Sequence, residues 1–133
     1  MLRLSKRVEY GLMALQYLAK TGEVATTREI SDASNIPYDL LAKVMQSLKR
    51  DGMIDSFQGT RGGYRLMIAP SDITLERVVN SLEEIAAITE CASTHADHAD
   101  CELLESCTIK EPMQKLQIKI DDLVRGVTLQ ELL

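Results

Sequence analysis

The stretch from Pro37 to Leu66 leaves this chain the fewest choices of fold. Leu40, Leu41, Val44, Met45 and Leu48 recur at helical spacing and place an apolar stripe on an α-helix. Lys49 and Arg50 fall in its last turn, where cations complement the negative end of the helix dipole. Gly52 follows as a residue free to take the left-handed conformation that ends a helix. The run from Met53 to Phe57 then has strand character, QGTRGG supplies turn glycines over Gln58 to Gly63, and a second short strand covers Tyr64 to Met67. A basic-ended helix feeding a glycine-tipped hairpin predicts a mainly α fold with a small β-hairpin wing, the winged helix-turn-helix. In that design the helix enters the major groove of DNA and the wing touches the backbone or the minor groove.

The preceding segment supplies the rest of such a head. Val8, Leu12, Leu15 and Ala19 form one apolar stripe and Tyr10, Met13 and Tyr17 a second, so a first helix is expected to be buried on more than one side. Ser5 is its expected N-cap, Leu4 the outer half of a hydrophobic staple, and Thr21-Gly22 its end. Thr26 and Glu29 have capping-box spacing. They predict a second, short helix from Thr27 that carries Ile30 and Ala33 inward before Ser34 and Asn35 turn the chain. Pro37 suits the first turn of the third helix. Two short helices joined this way also fit a plain αα-hairpin; the wing favours the DNA reading.

On the third helix, Tyr38, Asp39, Ala42, Lys43, Gln46 and Ser47 are expected to face away from the apolar stripe and toward DNA. Early positions of a recognition helix touch base edges, so Tyr38, Asp39, Ala42 and Lys43 are the readout candidates. Lys49 and Arg50 are expected to hold phosphates. Gln58 belongs to the wing contact, and Arg61 sits at the wing tip, where a guanidinium can enter a narrow minor groove. For each of these charges a solvated surface position is the alternative.

Beyond Pro70, Ser71 or Thr74 is expected to cap a fourth helix bearing Leu75, Val78, Val79 and Leu82, closing the core. From Glu90 to Ile109 the helical pattern lapses into a loop crowded with potential ligands. Pro112 then opens a long helix in which Met113, Leu116, Ile120 and Leu123 alternate spacings of three, four and three, a coiled-coil seam. One such helix from each of two subunits would build the two-fold dimer that paired DNA half-sites require; packing within one subunit is the alternative. Thr128 is expected to cap a final LQELL turn that docks back onto the head. The organisation expected is therefore a DNA-binding domain over 1–82, a cysteine-rich loop over 83–110, and a dimerisation helix with its cap over 111–133.

The net charge of −5 opposes phosphate binding only if it is spread evenly. It is not: up to Pro70 there are ten Lys and Arg against seven Asp and Glu, and from Ser71 onward five against thirteen. The basic half is the half with the wing. No run of about eighteen apolar residues is present, and the Met1 to Leu18 region lacks the unbroken apolar segment of a signal peptide, so a cytoplasmic protein without a membrane partner is expected.

Cys91, Cys101 and Cys107 follow C-x9-C-x5-C, without the paired C-x2-C knuckles of structural zinc sites. Soft thiolates on a loop suit an iron-sulfur cluster, and three of them call for a fourth ligand from His, Asp, Glu or solvent. His95 and His98 share the loop, and Glu9 could come from elsewhere. Read locally, Glu9 is a carboxylate favoured near the positive N-terminus of its helix. Another metal, reactive thiols or inert cysteines stay open on spacing alone, although the acidic loop opposes a low thiolate pKa. No glycine turn of the oxyanion type and no third orienting group accompanies Cys and His, so an enzyme is not expected.

The opening LRLSK, Glu9-Tyr10, the QGTRGGY wing, the ITL run before the fourth helix, three cysteines before a long helix and the closing VTLQEL together resemble the IscR and NsrR family of bacterial transcription regulators. The resemblance spans essentially the whole chain. It implies a homodimer crossed over through the long helix, bound to a pseudo-palindromic operator in double-stranded DNA. It also implies a [2Fe-2S] or [4Fe-4S] cluster whose state alters DNA affinity, most simply in a repressor that senses iron-sulfur status, redox stress or nitric oxide. Cys91, Cys101 and Cys107 match the family's cysteine ligands. The carboxylate that nitric-oxide-sensing relatives donate across the dimer, just before the tyrosine of the first helix, is here Glu9. His95 and His98 stay as alternatives, because the loop between the first two cysteines is longer than relatives commonly have. Lys110 stands where IscR-like members place a histidine, and Ala42 where they read DNA with a glutamate, so the operator does not carry over. Relatives such as CymR resemble the same winged helix without a cluster. That leaves a cluster-free regulator controlled by thiol oxidation or a protein partner as a second expectation, and an iron-sulfur carrier with no DNA role as a third.

Overall fold

The computed structural model describes residues 3–82 and 108–133. Helices α1 (Lys6–Thr21), α2 (Thr27–Ser34) and α3 (Tyr38–Arg50) lead into strands β1 (Ile54–Phe57) and β2 (Gly63–Leu66), then α4 (Leu75–Leu82) and α5 (Lys110–Gly126). Short 3-10 turns cover Pro70–Asp72 and Leu129–Leu132.

The boundaries follow local chemistry. The Ser5 hydroxyl accepts the Val8 N–H at 3.3 Å and starts α1, while Gly22, at φ 65°, ends it by donating its N–H to the Leu18 carbonyl. The Thr26–Glu29 capping box is closed in both directions: the Thr26 hydroxyl accepts the Glu29 N–H at 3.0 Å, and the Glu29 carboxylate accepts the Thr26 N–H at 2.9 Å. Asn35 takes the left-handed conformation that ends α2. Pro37 stands at the N-cap of α3, one position outside the first turn, and Asp51 is its C-cap, with Gly52 left-handed just beyond at φ 79°. Of the two candidate caps before α4, Thr74 is the one used: its hydroxyl accepts the Arg77 N–H at 3.2 Å.

The core lies where α1, α3 and α4 meet. Val8, Leu15 and Leu18 of α1 face Leu41, Val44, Met45 and Leu48 of α3 and Val78, Val79 and Leu82 of α4, all buried. Each fully buried Leu, Ile or Met stabilises the fold by roughly 1.5–3 kcal/mol relative to exposure. Gly11, inside α1, makes this approach possible, because a Cβ there would strike Leu82 Cδ1 and touch Val44 Cγ1. The C-terminal turn completes the core: Leu129 is buried and donates its N–H to the Ile73 carbonyl at 2.8 Å, as Leu75 donates to Val127 at 2.8 Å. Gln16 Nε2 donates to the Leu132 carbonyl at 3.0 Å.

Five expectations are corrected. Leu40 is 46% exposed, because the buried stripe of α3 runs through Leu41, Val44, Met45 and Leu48 and leaves Leu40 at its margin. Ser47 is buried against α4, where its carbonyl accepts the Ser81 hydroxyl at 3.3 Å, so it does not face DNA. Ala33 is exposed; the inward face of α2 instead carries Ile30 and Ser31, whose hydroxyl is committed to the Ile36 carbonyl at 2.6 Å. Met13 and Leu4 are exposed as well. The position Leu4 would have to staple is Glu9, which offers no apolar partner.

Candidate nucleic-acid interface

With Leu41, Val44, Met45 and Leu48 committed to the core, the 100° advance per residue puts Asp39, Lys43, Gln46 and Arg50 on the opposite face of α3, and all four are exposed. Tyr38 is exposed and Ala42 half-buried along the flank nearer α2 and the wing. Two bonds from α4 fix the far end of α3. Arg77 Nη2 donates to the Asp51 carbonyl at 2.8 Å, and the Ser81 hydroxyl reaches the Ser47 carbonyl. Lys49 points sideways: its ammonium donates to Ser56 Oγ of β1 at 2.8 Å, which joins the helix to the wing. Arg50 stays open, with only a 3.9 Å approach to Asp51.

The wing is an antiparallel pair in the register Ile54↔Leu66, Asp55↔Arg65, Ser56↔Tyr64 and Phe57↔Gly63. Gln58 and Arg61 are exposed at its tip. The glycines of the tip have separate reasons. A Cβ on Gly62 would stand 2.8 Å from the Phe57 carbonyl oxygen. Gly63 has φ 144°, and a Cβ there would stand 2.5 Å from the carbonyl oxygen of Ala25. That closeness is the purpose of the motif: the next residue, Tyr64, exchanges two backbone hydrogen bonds with Ala25, at 2.9 and 2.7 Å, so β2 is stitched to the loop before α2. Wing and helix-turn-helix are thus joined by backbone hydrogen bonds as well as by the Lys49–Ser56 contact.

One member of this surface carries no motif in the sequence. Arg28 of α2 lies with its guanidinium carbon 4.1 Å from the centroid of the Tyr38 ring at the start of α3. The one signal that could have found it is a cation in the first turn of a helix, where carboxylates are favoured.

Glu9 lies in the first turn of α1, half-exposed, and accepts from the Lys6 ammonium at 2.9 Å. That hydrogen bond and its charge hold Lys6 above its usual pKa. Cys91, Cys101, Cys107, His95 and His98 lie outside the described residues, so the structure does not bring the expected ligand set together or apart. Among the described residues no group of three or more His, Cys, Asp or Glu is placed to hold a metal ion, and no helix is long and apolar enough to cross a membrane. On α5, Ile109, just before its first residue, together with Leu116 and Leu123 forms an exposed heptad line, with Met113 and Ile120 half-buried beside it. Arg125 ties this helix to α4 through Glu76 at 3.1 Å.

Fold and surface together define a winged helix-turn-helix protein of the DNA-binding class. The family model described as Rrf2, iron-dependent transcriptional regulator, matches residues 4–133, and the chain belongs to that family of DNA-binding transcription regulators. It is 33% identical over 132 residues to protein aau3 of Rhizobium meliloti, covering 98% of this chain and 84% of the relative. It is 28% identical over 134 residues to the HTH-type transcriptional regulator NsrR of Bacillus licheniformis, covering 99% and 90%. The solved structure of CymR, the global cysteine regulator of B. subtilis, superposes with a TM-score of 0.76 at 24% identity over 99% of this chain and 96% of that one, a likeness of fold.

Proposed function

We propose that the protein is a homodimeric, cytoplasmic repressor without catalytic activity, whose grip on a pseudo-palindromic operator is set by an iron-sulfur cluster. The observation that carries the DNA part is the exposed stripe of α3, Asp39, Lys43, Gln46 and Arg50, tied through Lys49 and Ser56 to a wing that presents Gln58 and Arg61 and is bridged by Tyr64 to Ala25 before α2. Tyr38 and Ala42 flank the stripe, and Lys49 serves by holding the wing to the helix. Membership of a family of DNA-binding regulators supports this reading over a carrier without a DNA role.

The cluster part rests on donor chemistry. Three thiolates in one loop are soft ligands suited to iron, and Glu9, half-exposed on α1 and among the described residues paired only with the surface ammonium of Lys6, can act as a harder fourth ligand to the partner's loop, with His95 or His98 as alternatives. A cluster bound there would supply a redox- and nitric-oxide-sensitive tie between subunits. The cysteine-bearing residues come after α4 in the sequence, and α4 grips the end of α3 through Arg77 and Ser81, which supports coupling of cluster state to the reading helix. The exposed Ile109–Leu116–Leu123 line supports dimerisation through α5, and the three-part division at 1–82, 83–110 and 111–133 follows from these roles. The fold shared with a cysteine regulator supports one second reading, a cluster-free regulator controlled by thiol oxidation or a partner protein.

Anaerobic purification with visible absorption, Mössbauer spectra and iron and sulfide content tests the choice. A brown protein with matched iron and sulfide, whose cluster is retained less well in Glu9→Ala, is the expected result. A protein that stays colourless after reconstitution would transfer the function to the thiol reading. Equal retention in Glu9→Ala would move the fourth ligand to the histidines.

A further inference from the structure

We infer that Arg28 is a phosphate anchor of this DNA-binding surface and that Tyr38 is its platform rather than a reader of base edges, an assignment that rests on α3 being the groove helix. The starting point is a misplaced charge. Arg28 is the second residue of α2, in the turn where the helix dipole disfavours a cation, and the Thr26–Glu29 capping box already satisfies that turn without it. Helix stability therefore gives no reason for an arginine here. Among the described residues Arg28 forms no ion pair, and it is exposed. What holds it is the ring of Tyr38: 4.1 Å from guanidinium carbon to centroid is within cation–π range and fixes the plane of the fork.

The position is as specific as the stack. Ala25, three residues before Arg28, is bridged to Tyr64 of the wing, and Tyr38 is the first residue of α3. Arg28 therefore stands where the recognition helix, the wing and the first helix of the motif converge. With α3 in the major groove, the first helix of a helix-turn-helix crosses the sugar-phosphate backbone, so the group facing a pre-oriented guanidinium there is a phosphate. A planar fork with several donors matches phosphate oxygens, and stacking lowers the rotamer entropy lost on contact. Tyr38, with its ring engaged by Arg28, acts through that residue and is a positioning residue.

The test uses the full-length protein and a fluorescein-labelled duplex that the wild-type protein selects from a randomised library, titrated across a series of KCl concentrations. Arg28→Ala is expected to weaken binding about tenfold at moderate salt. It should flatten the slope of log K against log[KCl] by about 1.8, one phosphate's worth from each subunit of the dimer, and leave the base preference across single-site duplex variants unchanged. Arg28→Lys should restore most of the slope. Tyr38→Phe, which keeps the ring face, should match wild type, whereas Tyr38→Leu should lose part of what Arg28→Ala loses, and the double variant should be no weaker than Arg28→Ala. Unchanged affinity and slope in Arg28→Ala beside a weakened Lys43→Ala would overturn the anchor and leave the α3 interface standing. If Arg28→Ala and Lys43→Ala both bind as wild type, the interface and the anchor fall together. A loss of affinity or a changed base preference in Tyr38→Phe would make the hydroxyl a reader and overturn the platform role.

Discussion

Helices α3 and α5 are both amphipathic, and they differ in what covers their apolar side. On α3 the stripe of Leu41, Val44, Met45 and Leu48 is buried by α1 and α4 of the same chain. On α5 the one buried residue is polar Gln117, which donates to Asp121 at 2.7 Å, while Leu123 is 66% exposed and Leu116 is open to solvent. The reading head is therefore completed by its own sequence, and among the described residues the long helix is not. A heptad line that the described residues leave uncovered is the kind of surface a second copy closes, which is why the proposed dimer runs through α5 and not through the head.

The sharpest way to break this contrast is to remove the same residue type from each helix. Leu48→Ala should cost roughly 2–5 kcal/mol in urea unfolding, the range for emptying a buried leucine site. A loss under about 1 kcal/mol would mean that the α3 stripe is not the closed core the packing describes. Leu116→Asp with Leu123→Asp should leave the far-ultraviolet dichroism of the head intact while weakening self-association on the order of a hundredfold, about 2.7 kcal/mol, in sedimentation equilibrium. A dimer that survives both charges would place the subunit contact elsewhere.

Smaller effects sharpen how the head is held together. Gly63→Ala should destabilise by about 1–3 kcal/mol, since it combines a disfavoured φ with a Cβ driven into the Ala25 carbonyl, and hydrogen exchange at the Ala25 and Tyr64 amides should rise with it. Exchange that stays slow there would separate the wing's glycine requirement from the backbone bridge. Thr26→Ala should cost only about 1 kcal/mol, the worth of an N-cap, because Glu29 and the bridge at Ala25 still hold the start of α2.

Most of the head was legible because its signals are local. Caps at Ser5 and Thr26, left-handed residues at Gly22, Asn35 and Gly52, and the turn glycines of the wing each act within a few residues, so spacing alone locates them. The misreadings at Leu40, Ser47 and Ala33 share one cause. Each sits at the edge of a stripe, where three or four residues of helix do not say which neighbouring helix will lie alongside. Ser47 has the spacing of a groove residue, but α4 lies against it through Ser81. Arg28 carries no local signal for the converse reason: its partner, Tyr38, lies ten positions away, and the αL turn at Asn35 and the extended Pro37 decide that the two side chains meet.

The residues themselves determined the order of the described elements, the winged helix-turn-helix and the basic half that carries it, because period, caps and charge are properties of neighbouring residues. Tertiary structure alone decided how closely α1 and α4 meet at Gly11, why Gly63 must precede Tyr64, and which polar residues of α3 remain for DNA. Each of those depends on the distance between segments far apart in the chain, a quantity that no local pattern contains.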